Sequence, residues 1–138
     1  MEVHILVGSK SDEEVVSKIS QTLKERNINF KADYASAHRE PERVKEIVKK
    51  SKACVFIAVA GLSAALPGFV SSLTDKPVIG VPVKGKNSAL DGLDALLSMV
   101  QMPKGVPVAC VGINAAENAA LLAERIVKAS REQLIERE

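Results

Sequence analysis

Three short stretches of the chain combine residue types that can hold an anion and move a proton. The first is Gly8-Ser9-Lys10-Ser11-Asp12. Glycine admits close backbone approach, two hydroxyls can donate to an anion, and a following helix would add free amides and the positive end of its dipole. The stretch is neither GxxxxGK[ST] nor GxGxxG. A competing reading makes Ser11 or Asp12 a plain helix cap. The second is Ser36-Ala37-His38-Arg39-Glu40-Pro41, which carries one of the chain's 2 histidines. A neutral imidazole takes a proton and its cation returns one near neutral pH. Arg39 offers a planar fork suited to phosphate or carboxylate. Alone, this loop reads rather as a surface histidine beside a capping Glu-Pro. The third is Ala60-Gly61-Leu62-Ser63-Ala64-Ala65-Leu66-Pro67-Gly68. A turn of small residues opening an apolar helix supplies amides in a low-dielectric wall, which suits a carboxylate or CO2. His4 lies inside an apolar run and reads as structural.

These stretches can cooperate only if one scaffold brings them to the same place. Residues 3–7, 53–60, 77–83 and 106–112 read as strands, with 53–60 the clearest, continuous rather than alternating, and 28–35 reads as a weaker one. Between them the spacing predicts helices. Residues 12–26 place Val15, Val16, Ile19 and Leu23 on one face, and 41–50 open with Pro41 and place Val44, Ile47 and Val48 inward. Further helices are expected at 62–73, 92–100 and 114–137. Continuous apolar strands alternating with helices point to a parallel sheet covered on both faces. The expected fold is therefore α/β, a three-layer sandwich with a parallel sheet of the flavodoxin-like or Rossmann-like type. In such sheets ligands bind beyond the carboxyl ends of the strands, where the three stretches would lie.

The bulk properties narrow the partner. The 138 residues read as a single domain, 1–138. A net charge of +2 and only 3% aromatic residues leave no basic footprint and little base-stacking material, so no nucleic acid is expected. No apolar run nears the ~20 residues that span a bilayer, and no leader is read at the N-terminus. Cys54 and Cys110 sit singly in apolar runs, so metal or disulfide pairing is not expected and the cytoplasm is the expected compartment. The helices around Ala64 and Ala120 are apolar nearly all round, which predicts a homo-oligomer with contacts there. The residues thus point to a phosphorylated small molecule, one acid-base histidine and a dry pocket.

At these loops the sequence resembles the 5-(carboxyamino)imidazole ribonucleotide mutase family, also called the phosphoribosylaminoimidazole carboxylase catalytic subunit or PurE family. The likeness covers nearly the whole chain. It runs through Gly-Ser-Lys-Ser-Asp, Ser-Ala-His-Arg, Leu66-Pro67-Gly68, Pro77 to Val83, Leu90-Asp91-Gly92-Leu93-Asp94, Ser98 to Pro103, Gly105 to Val108 and Asn118 to Ala123. The resemblance implies that His38 is catalytic and that Ser9, Asp12 and Arg39 bind ligand. Ser11 belongs to the same phosphate-ribose loop, and Gly8, Ser36, Ala37, Gly61, Ser63, Ala64 and Leu66 complete the expected substrate site. It implies the step of de novo purine biosynthesis that converts 5-carboxyamino-1-(5-phosphoribosyl)imidazole to the 4-carboxylate, with no cofactor and no metal. It further implies CO2 held in the pocket, an octamer, and a functional link to an ATP-dependent carbamate-forming synthetase. One position departs from the mutase pattern: Ala65 stands where that branch usually has a second histidine. The branch that carboxylates aminoimidazole ribonucleotide directly with CO2, a carboxy-lyase, also has Ser and Ala at 63 and 65. Direct carboxylation to the same product is therefore the alternative. A non-enzymatic phosphometabolite-binding domain is the reading from another class.

Overall fold

A computed structural model describes residues 1–138. Its centre is made by strands whose every residue is buried: β1 (Val3–Val7) and β4 (Val78–Val83), with β3 (Val55–Gly61) buried throughout except at its last residue. Such runs cannot form a strand with one wet face, so both faces of the sheet are covered. Beside them stand β2 (Phe30–Tyr34) and the short β5 (Ala109–Cys110). The order is β2-β1-β3-β4-β5, and every pairing is parallel.

The helices are α1 (Glu13–Glu25), α2 (Pro41–Lys50), α3 (Leu66–Leu73), α4 (Leu93–Val100) and α5 (Ala116–Arg137). Val15, Val16, Ile19 and Leu23 of α1 pack with Ala119, Ala120, Ala123 and Val127 of α5 over one face of the sheet. On the other face, Val44 and Val48 of α2, Leu66 and Val70 of α3 and Ala95 and Met99 of α4 form the second core. This is the doubly wound sandwich expected from the sequence.

Two elements differ from the sequence reading. α3 begins at Leu66, not at 62, because Leu62 takes a left-handed backbone (φ 56°) that no helix continues through. The fifth strand shrinks from 106–112 to two residues. Pro107 has no amide to donate, so the ladder starts only at Ala109, opposite Ile79. Ala64 and Ala120, near which subunit contacts are expected, are each 1% exposed and covered by their own chain. Exposed apolar residues stand on α4, at the end of α5 and at Leu62.

Candidate active site

The winding direction of the sheet reverses between β1 and β3, the point where open α/β sheets leave a crevice at the carboxyl ends of the strands. The loops that follow β1 and β3 form its floor, and the loop after β2 forms one wall. The resulting cavity measures about 840 Å³, a size that takes a small organic ligand.

All the residues anticipated from the sequence line this one cavity. Gly8, Ser9, Ser11 and Asp12 come from the β1 loop and Ser36, Ala37, His38 and Arg39 from the β2 loop, while Gly61, Ser63, Ala64 and Leu66 come from the β3 loop. In the first loop the Ser9 and Ser11 hydroxyls share a hydrogen bond of 2.8 Å, and the Ser11 amide donates to Ser9 Oγ at 3.2 Å. Ser9 therefore caps the 3-10 turn Lys10–Asp12 that leads into α1. Of the two expected caps, Ser11 lies inside that turn and Asp12 makes no capping hydrogen bond. It is nonetheless buried, and loss of solvent raises its carboxyl pKa above the ordinary range. A Cβ at Gly8 would stand 3.7 Å from the Val59 carbonyl oxygen, an ordinary contact, so packing does not demand glycine there.

The second loop is a tight turn held from within. The Arg39 amide donates to Ser36 Oγ at 3.2 Å and the Glu40 amide to the Ser36 carbonyl at 2.8 Å. This turn displays His38 and Arg39 at the rim, where both are exposed. In the third loop the Ala65 amide donates to the Ser63 carbonyl at 2.7 Å, and Ala65 precedes α3 without any side-chain cap. The first amides of that helix are thus left without a side-chain acceptor, beside Ala64 and Leu66, which are buried.

A fourth segment was not anticipated. Lys84, Gly85, Lys86 and Asn87, after β4, line the same cavity, as does Asn114. The Asn114 side chain accepts from the Lys84 amide at 2.9 Å, and its backbone is left-handed (φ 57°). The Lys-Gly-Lys-Asn composition was visible in the sequence. Its placement was not, because it depends on β4 pairing next to β3. His4 stands elsewhere, 3% exposed, between Asp33 Oδ2 (2.7 Å) and Ser51 Oγ (2.8 Å) and stacked on Phe56, a satisfied core histidine.

Chemically, the cavity offers hydroxyls and a guanidinium at one end, an imidazole at the rim and an apolar wall with unclaimed amides. The sequence model of the AIR carboxylase family matches residues 2–137. The chain belongs to the AIR carboxylase family. Among relatives, it is 58% identical to the N5-carboxyaminoimidazole ribonucleotide mutase of Methanocaldococcus jannaschii over 94% of this chain and 81% of that protein. It is 50% identical to the phosphoribosylaminoimidazole carboxylase of Ogataea methanolica over 92% of this chain but only 24% of that longer protein. The crystal structure of Treponema denticola PurE superposes with a TM-score of 0.75 at 29% identity, covering 98% of this chain and 92% of that one. This AIR carboxylase family chain therefore shares its fold with that solved structure. No helix in it is long and apolar enough to cross a membrane.

Proposed function

We propose that this chain is an N5-carboxyaminoimidazole ribonucleotide mutase of purine biosynthesis, with His38 as its proton carrier. The observation that carries the reading is the convergence of the Ser9-Ser11-Asp12, His38-Arg39 and Gly61-to-Leu66 loops on one cavity at the switch point of the sheet. The mutase name borne by the archaeal relatives favours the carbamate as substrate over direct carboxylation with CO2.

In this reading Arg39 and the Ser9 and Ser11 hydroxyls hold the phosphate, and Asp12 accepts from the ribose hydroxyls. The imidazolium of His38 protonates the exocyclic nitrogen of the carbamate. The N–C bond breaks, leaving the free amine and CO2. The apolar third loop keeps CO2 beside the ring, which water would otherwise carry away. Carbon 4 attacks CO2, forming the new C–C bond and a carboxylate. The now neutral His38 removes the proton from carbon 4, which restores both the aromatic ring and the imidazolium. The proton lent is the proton returned, so the step consumes nothing. An imidazole suits both stages because its ordinary pKa of about 6.5 lies close to working pH.

The same reading places the enzyme in the cytoplasm as a homo-octamer, supplied with carbamate by an ATP-dependent synthetase. Both cysteines are half-buried against the cores, and loss of solvent raises the pKa of Cys54 and of Cys110. The test is His38→Asn. The variant should keep its melting temperature and its affinity for the ribonucleotide while turnover of the carbamate falls by about 10²-fold or more. Turnover within a factor of about three of the parent would remove His38 from the mechanism.

A further inference from the structure

Four cationic side chains line the cavity: Lys18, Arg39, Lys84 and Lys86. Two of them are already neutralised, Lys18 by Glu14 at 3.8 Å and Lys84 by Asp91 at 3.6 Å. Neither Arg39 nor Lys86 has an acidic side chain within ion-pair reach. The two free cations stand at opposite ends of the site, because Arg39 follows β2 and Lys86 follows β4, with β1 and β3 between them. Neighbouring strands lie about 4.8 Å apart, which separates the roots of the two loops by about 14 Å before their long side chains reach inward.

The loop that carries Lys86 is built to present it. The Ser88 amide donates to the Gly85 carbonyl at 3.2 Å, closing a turn with Lys86 and Asn87 at its tip. Ser88 Oγ in turn accepts from the Gly92 amide and donates to Asp94 Oδ1, both at 2.7 Å. At the other end of the loop, the Lys84 amide is fixed on Asn114. The register Gly61↔Val83 sets this loop directly beside the third one. From Gly61 to Leu66 the third loop has no charged side chain, and Ala65 has no donor beyond its backbone.

We infer that Lys86 receives the carboxylate that is transferred, making the cavity a site for small molecules with an anion at each end. The inference rests on the functional reading above, which puts the phosphate at Arg39 and the carboxyl chemistry at the third loop. A lysine ammonium is a mobile point charge with three donors, able to follow the carboxyl carbon as it leaves nitrogen and joins carbon 4. The attraction is greatest for the carboxylate and absent for neutral CO2, so Lys86 serves binding of substrate and product rather than the C–C bond-forming step.

The experiment compares Lys86→Gln and Lys86→Arg with the parent by titration calorimetry against three ligands. These are the 4-carboxylated aminoimidazole ribonucleotide, aminoimidazole ribonucleotide without the carboxylate, and inorganic phosphate. Lys86→Gln should weaken the carboxylated nucleotide about tenfold, the scale of one charge-assisted contact discounted for solvent. The other two ligands should change by less than about twofold, and Lys86→Arg should restore most of the loss. Equal weakening of both nucleotides would overturn the assignment, as would no weakening of either. Should the parent bind neither nucleotide, the functional reading falls and Lys86 falls with it.

Discussion

Asp12, proposed to accept from the ribose, works against the fold that holds it. Burial raises its carboxyl pKa, so the folded chain holds this proton more tightly than the unfolded chain does. For a raised carboxyl the sign is opposite to that of a salt-bridged one. The burial penalty is absent below the ordinary carboxylate pKa and sets in as pH rises through the folded value. Above the folded value the ionised group is destabilising. Asp12→Asn should therefore raise the melting temperature of the unliganded protein at pH 7, with the gain shrinking as pH is lowered toward 4. The same variant should bind the ribonucleotide more weakly by about 1.5–3 kcal/mol, because an ionised acceptor is lost. Thermal melts across that pH range, paired with a binding titration, check both halves. A variant no more stable than the parent at pH 7 would show that the carboxylate is compensated in the free enzyme.

At the scale of elements, close packing at Gly80 ties three of them together. A Cβ there would lie 2.8 Å from Met99 Sδ, 3.0 Å from Val108 Cγ1 and 3.3 Å from Pro67 Cβ. Gly80→Ala should cost about 1–3 kcal/mol, read as a lower melting temperature, since α3, α4 and the segment before β5 would all have to give way. Gly85→Ala is the control, with nothing within 4 Å of the added methyl. The elements behind this junction were unevenly legible. β1, β3 and β4 declare their burial as unbroken apolar runs, and α1 declares its inner face by the spacing of Val15, Val16, Ile19 and Leu23. The start of α3 was hidden, because Leu62, Ser63, Ala64 and Ala65 suit a helix as well as a turn and only the left-handed backbone at Leu62 decides. The β1, β2 and β3 loops were legible as chemistry because they carry hydroxyls, an imidazole and a glycine-opened turn beside apolar strands. The Lys84-to-Asn87 loop was not, since its part in the site follows from strand order, which no local pattern records.

On the whole molecule, one apolar surface with no partner in its own chain is the outer face of α4. Leu93, Leu97 and Val100 recur at helical spacing and are 44%, 47% and 46% exposed, with Leu90 and Ile113 also exposed nearby. Isolated exposed leucines are ordinary, but a contiguous apolar stripe marks an interaction surface. The alanine-rich helices that first pointed to assembly are accounted for within the chain, where Ala119, Ala120 and Ala123 pack against α1. The case for a homo-oligomer therefore moves to α4. Covering the stripe would remove several partly exposed apolar side chains from water, each contributing on the order of 1 kcal/mol per subunit. A charge placed in its middle would have to be buried unpaired, which costs more than the contact returns. Leu97→Glu should accordingly dissociate the assembly while the chain stays folded, because residue 97 is half exposed in the single chain. Sedimentation at micromolar concentration should show the parent well above the 14.7 kDa chain mass and the variant at or near it. A parent sedimenting at the chain mass would refute the assembly. An unchanged mass for Leu97→Glu, with its circular dichroism intact, would instead place the subunit contact away from α4.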